Sequence, residues 1–174
     1  MRKHRKWIQG IILTAFLLIG GYTIGSSLFA EDQIPRVGST APDFALTGLD
    51  GNVYKLSDLR GKAVLVNFWG SWCDPCIREL PAIQRQYEKW KDQGLVVLGV
   101  NLDESRVTVQ SFVKQTGVTY PILFDKDLLM RDRFAVRYYP TSFFIDKSGQ
   151  IIDIAVLEMD DAYIEQHIKT MLKL

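Results

Sequence analysis

Two cysteines and two histidines are all that this chain of 174 residues offers as soft metal ligands. A structural zinc site takes four such ligands. His4 lies in the basic start of the chain and His167 stands alone near its end, so no metal is expected. So little cysteine also excludes a scaffold held together by disulfides. A chain of this length can bury a sizeable core in one ordinary domain with residues to spare. Acidic residues are missing before Glu31, whereas Arg2, Lys3, Arg5 and Lys6 crowd the first six positions. Without that cluster the chain carries a slight acidic excess, so there is no basic face from which to infer a nucleic-acid partner. Internal repeats and low-complexity tracts are also lacking, and the composition is that of a folded protein.

The first feature present is "WIQGIILTAFLLIGGYTIGSSLFA", residues 7–30, which contains no charged residue. It is long enough to cross a bilayer as one helix. A cleaved signal would have a shorter apolar core and small residues at the cut, and Leu28 suits the −3 position poorly. The expectation is a transmembrane anchor over 7–30, with the basic residues 1–6 on the cytoplasmic side. Residues 31–41 read as a polar tether and 42–174 as an extracytoplasmic domain.

Within that domain, residues 43–56 alternate around Asp50-Gly51, the pattern of a β-hairpin. "AVLVNFW", residues 63–69, is a short apolar β-branched run, as expected of a strand buried on both faces. A helix follows from about Cys73 to Gln93, with Leu80, Ile83, Tyr87 and Trp90 on one stripe and Gly94 closing it. "LVVLGVNL", residues 95–102, is a second buried strand. A helix is expected over 105–116, a short strand over 120–124 and a short helix over 127–136. A hairpin turns at Lys147-Ser148-Gly149, and a last helix, capped by Asp160, carries Ile164, Ile168 and Met171. Strands alternating with helices give a parallel core, to which the late hairpin adds antiparallel strands. Sheets of this kind gather chemistry at the carboxyl ends of their strands.

Both cysteines lie at such an end, in "FWGSWCDPCIRELP", residues 68–81. As a staple, Cys73–Cys76 would close a loop too small to constrain the unfolded chain much. With a metal set aside, a redox couple remains. A cysteine at a helix start faces unpaired N–H groups and the positive end of the helix dipole, which favour its thiolate. Cys73 is then the attacking thiol. Cys76, one turn inside, resolves the mixed disulfide by thiol–disulfide exchange. No cofactor beyond this pair is expected.

"FWGSWCDPC" after a buried strand, Pro81 five residues past Cys76, and "YYPTSFFID" together resemble the thioredoxin superfamily. The likeness implies a thioredoxin-like α/β fold with a central mixed sheet flanked by helices, here preceded by an N-terminal β-hairpin and a single transmembrane helix. It also implies that Pro140 is the cis-proline beside the active site, and that the backbone of Tyr139 pairs with an incoming chain near Cys73. Trp72 flanks the same surface. With the anchor, "APDFALTGLDGNVYKLSDLRGK" and "CDPCIRELP", the chain is similar to the membrane-anchored ResA-type thiol–disulfide oxidoreductases of Gram-positive bacteria. That family implies reduction of the haem-binding CxxCH cysteines of apocytochrome c outside the membrane. It also implies a membrane electron donor of the CcdA or DsbD kind and a proton-managing role for Glu79. Other secreted or spore-envelope disulfide proteins are the alternative substrates.

Two acidic side chains bear on the direction of electron flow. Asp74 lies between the cysteines, and Glu79 shares a helix face with Cys76. Negative charge opposes a thiolate and raises its pKa, which makes the couple more reducing. Where thioredoxins bury an aspartate six residues before the first cysteine, this chain has Asn67, which cannot take a proton and leaves that task to Glu79. Relatives carry glycine near position 157, whereas this chain has Leu157 followed by Glu158. A peroxidase would need a lone peroxidatic cysteine, and a Sco-type copper chaperone a CxxxC with a distant histidine; neither pattern is present.

Overall fold

In the computed structural model the residues described are Trp7, Ile12, 14–21 and 34–174. The chain divides into a unit Met1–Gln33 and a compact unit Ile34–Leu174. The described residues of the first unit are helical. Among the described residues no helix is long and apolar enough to cross a membrane, which corrects the expected single transmembrane helix. The basic end 1–6, the rest of 7–30, and 31–33 of the tether lie outside the described residues.

The second unit is built on β3 (Ala63–Trp69), β4 (Leu95–Leu102), β5 (Ile122–Asp125), β6 (Thr141–Ile145) and β7 (Ile151–Val156), ordered β5-β4-β3-β6-β7. β3, β4 and β5 run parallel, while β6 and β7 are antiparallel to their neighbours. Alternation along β3 shows why the centre of the sheet is apolar throughout. Val64, Val66 and Phe68 enter the core on one face, and Ala63, Leu65 and Trp69 the core on the other. The Trp69 face is covered by α1 (Asp74–Trp90), α2 (Arg106–Thr116) and α4 (Asp161–Leu172), through Leu80 and Ile83, Val109, and Ile164 and Ile168. The Phe68 face is covered by the arm carrying Ala41 and Phe44 and by Phe134 and Val136, which follow α3 (Leu129–Arg133). This is a thioredoxin-like fold, a central mixed sheet flanked by helices.

The helix boundaries follow local chemistry. Ser105 accepts the N–H of Thr108 at 3.1 Å and Asp160 that of Tyr163 at 2.8 Å, each satisfying a donor that its helix leaves free. Beyond α1 a short 3-10 turn ends at Gly94, whose φ of 100° suits a residue without Cβ.

The expected N-terminal hairpin over 43–56 is also corrected, because in place of a full hairpin there are two short strands in a two-stranded sheet separate from the central one. Only Ala45–Thr47 (β1) and Val53–Lys55 (β2) pair, three residues each, around a turn in which the Asp50 carboxylate accepts from Asn52 and Tyr54. Single bonds continue past the ladder, from the Leu56 N–H to the Phe44 carbonyl and from the Gly48 N–H to that of Asn52, before Leu56 enters a 3-10 turn; the Leu49 N–H bonds to Ile122 at the start of β5.

Candidate active site

β3 ends at Trp69 and the chain turns through Gly70-Ser71-Trp72 into α1. The turn is pinned from outside. Glu104, just past β4, accepts the N–H of Ser71 at 2.8 Å and its hydroxyl, and also the amide of Asn101 at 2.6 Å. A Cβ on Gly70 would lie 2.6 Å from the Trp72 indole, so the indole sits directly over this turn. Trp72 is 58% exposed and packs edge-on against Tyr139 at 5.5 Å. Trp69 turns inward instead, buried against Phe112 at 5.1 Å.

Cys73 is the N-cap of α1, and its sulfur accepts the Cys76 N–H at 3.3 Å. The two sulfurs are bonded, with Cα atoms 5.2 Å apart. Cys73 keeps 6% of its surface and Cys76 none, so only the first sulfur is open to attack by, or on, another protein. The exposed Asp74 acts on the charge of Arg78, one turn further along the helix. Pro81 lies inside the helix, where it has no N–H to offer the carbonyl of Ile77.

Glu79, 1% exposed, is buried on the side of α1 that faces the sheet. One oxygen accepts the Asn67 amide at 2.7 Å, and the other accepts the Met159 N–H at 3.2 Å. The second hydrogen of the Asn67 amide goes to the Ser142 hydroxyl at 2.9 Å. Burial raises the Glu79 pKa to about 7; the Asn67 and Met159 bonds oppose that rise, and the charge of Glu158 adds to it. The carboxyl therefore exchanges its proton near neutrality, the range in which a general acid or base is most effective. The floor below it is a row across the sheet in register: Ile122, Gly99, Asn67 and Ser142. A Cβ on Gly99 would lie 2.7 Å from Ile122 Cδ1 and 3.1 Å from Trp69 Nε1.

The Tyr139–Pro140 peptide is cis, just before β6. The Pro140 carbonyl accepts the N–H of Leu157 at 2.9 Å. Leu157 has φ of 86°, a backbone that glycine adopts without strain and leucine does not. Trp72, Tyr138, Val156 and Leu157 are exposed. Trp72 packs on the half-buried Tyr139, Leu157 bonds to Pro140 and Val156 pairs with Thr141, so these residues gather around the cis-proline turn. Sequence reading did not find Glu104, Ser142 or Met159. Glu104 reaches Ser71 across 33 residues, and Met159 reaches Glu79 across 80, so no local pattern marks them.

A reversible disulfide at a helix start on a thioredoxin-like sheet defines a thiol–disulfide exchange site. The AhpC/TSA family profile matches residues 37–154. The chain is 40% identical over 172 residues to the thiol-disulfide oxidoreductase ResA of Geobacillus kaustophilus, covering 98% of this chain and 99% of that protein. It is 37% identical over 166 residues to ResA of Bacillus subtilis, covering 95% and 93%. Among solved structures, a thioredoxin-family thiol:disulfide interchange protein from Chlorobium tepidum TLS superposes with a TM-score of 0.72 at 29% identity, covering 79% of this chain and 98% of that one. The chain belongs to the AhpC/TSA family and, within it, to the ResA-type thiol–disulfide oxidoreductases. It is an enzyme whose redox-active group is its own Cys73–Cys76 disulfide.

Proposed function

We propose that this oxidoreductase works on the outer side of the cell membrane as a reductant of disulfides in partner proteins, foremost the CxxCH cysteines of apocytochrome c. The observation that carries the direction of electron flow is Glu79, a buried carboxyl with a pKa near 7, three residues past Cys76. Ionised, it opposes a thiolate nearby and so disfavours the reduced form of the couple. The apolar surface of Trp72, Tyr138, Val156 and Leu157 suits a polypeptide rather than a small thiol.

In the forward step the Cys73 thiolate attacks one sulfur of the partner disulfide. A mixed disulfide forms and a partner thiolate leaves. Glu79 takes the proton of Cys76, whose sulfur then attacks Cys73 and expels the second partner thiolate. That thiolate recovers the proton. Two electrons pass to the partner, and the Cys73–Cys76 bond re-forms. An oxidising compartment does not return the enzyme to the dithiol, so a membrane electron donor of the CcdA or DsbD kind completes the cycle. Leu157 and Glu158, bulkier and more charged than a glycine-bearing loop, favour as second reading a reductase or oxidant of other secreted or spore-envelope proteins.

A Cys76→Ser chain cannot resolve its mixed disulfide and should hold its partner on Cys73. Capture of an apocytochrome c supports the first reading, and capture of other secreted proteins only supports the second. The couple should equilibrate at or below roughly −250 mV; a value near −120 mV, that of a strong oxidant, would overturn the reductant assignment.

A further inference from the structure

Residues 157–159 form a strap beside the active site, hydrogen-bonded to the rest of the site at three points. Leu157 donates its N–H to the Pro140 carbonyl at 2.9 Å. Met159 donates its N–H to Glu79 Oε2 at 3.2 Å. Between them, Glu158 Oε2 accepts both Nε and Nη2 of Arg78, at 2.9 and 2.7 Å. Arg78 and Glu79 are neighbours on α1, one side chain turned out to Glu158 and the other turned in to Asn67. Met159 also buries its side chain in the core on the α1 face of the sheet, whereas open grooves flank Glu158 on both sides, one reaching Tyr163 and the other Arg85, so at Glu158 the strap is tied down only by Arg78. Leu157 has a backbone that an L-residue adopts at a cost, so contacts elsewhere must hold the strap in this conformation.

We propose that Arg78 and Glu158 form a latch, a pair of positioning residues that hold Met159 against Glu79 and so set how readily Glu79 keeps its proton during thiol–disulfide exchange. The latch spans the outside of the site, and its effect passes through one backbone N–H. It rests on the proton-handling role proposed for Glu79, and it adds residues that contact neither sulfur nor partner disulfide.

Two effects of the latch on Glu79 have opposite signs. The Glu158 charge by itself makes Glu79 harder to ionise, whereas the Met159 bond makes it easier, and the bond is the larger of the two. The other groups around Glu79 are the Asn67 amide from β3, the cysteines from its own helix, and Tyr120, whose ionisation burial suppresses, while Arg78 points away to Glu158. Asn67 does not titrate, the cysteines do not while they are bonded, and Tyr120 stays neutral across the range of interest.

The signs provide the test. The carboxyl carbon of Glu79 is followed by NMR against pH in the oxidised full-length chain, as wild type, Arg78→Gln and Glu158→Gln. If the pair acts as a latch, either substitution frees the strap and weakens the Met159 bond. Both titrations should then move to higher pH, by roughly half a pH unit. If the two residues act only as charges, Arg78→Gln moves the midpoint up and Glu158→Gln moves it down, which overturns the proposal. An unmoved midpoint in both variants overturns it as well. Because the readout is the carboxyl itself, it does not depend on whether Glu79 serves the sulfurs. That question is answered separately by titrating the reduced thiols in Glu79→Gln, where an unchanged thiol pKa would remove the role and leave the latch standing.

Discussion

Glu79 carries two requirements in one side chain, since it must be buried to hold its proton and hydrogen-bonded to be able to lose it. Its folded pKa of about 7 lies above the ordinary 4.5. Between those values the native protein binds more protons than the unfolded chain, so stability falls as pH rises across that window and levels off above it. The loss is on the order of 3 kcal/mol if the full shift is realised. In Glu79→Gln this slope should vanish, so urea denaturation at pH 5 and pH 8 should differ in wild type and nearly coincide in the variant. The reduced variant should also show a lower thiol pKa and a less reducing couple. Only part of this was legible in the sequence. Helical spacing from Cys76 pointed to Glu79, and Asn67 stood out as a residue that cannot take a proton. Their direct bond, and the donation from Met159, join residues 12 and 80 positions apart, contacts that only the assembled sheet and helix create.

Among the elements, those with a strong local period were read nearly to the residue. β3 and β4 match the two apolar runs, because both of their faces are buried and every position is constrained. The hairpin ahead of them was overextended. Alternation specifies that a segment can pair but not how far, and the ladder stops at three residues on each side, with Leu56 passing into a 3-10 turn and Leu49 bonding to Ile122. The short helix expected over 127–136 begins late, at Leu129, because Asp127 and Leu128 take left-handed backbones. The Asp125 carboxylate receives the N–H groups of Met130 and Arg131 at 2.9 and 2.7 Å. Gly99 is the tightest point in the sheet beneath the site. Gly99→Ala would press on Ile122, Trp69 and Tyr120 and should cost roughly 1–3 kcal/mol by denaturation. Cys73 should still be the first thiol to be alkylated on reduction, since its exposure is set at the end of α1 and not in the sheet.

At the scale of the molecule, residues 34–174 form one compact unit with both faces of the sheet covered from within. Expressed without residues 1–33, this unit should fold alone and melt within a few degrees of the full chain, as followed by circular dichroism. A drop of more than about 10 °C would mean that the preceding residues contribute to the core, since even 1 kcal/mol moves Tm by only several degrees at this size. Position in the chain says little about position in the site, whose parts come from residues 67 to 159. The strap at 157–159 touches both the proline where a partner chain is expected to lie and the carboxyl that holds the proton. A partner that draws Leu157 away from Pro140 must disturb Met159 two residues on. Docking and proton affinity then share one equilibrium, and by reciprocity whatever factor binding applies to protonation, protonation applies to binding. Acidity around the protein would then tune which partners the enzyme holds, as well as how fast it exchanges disulfides with them.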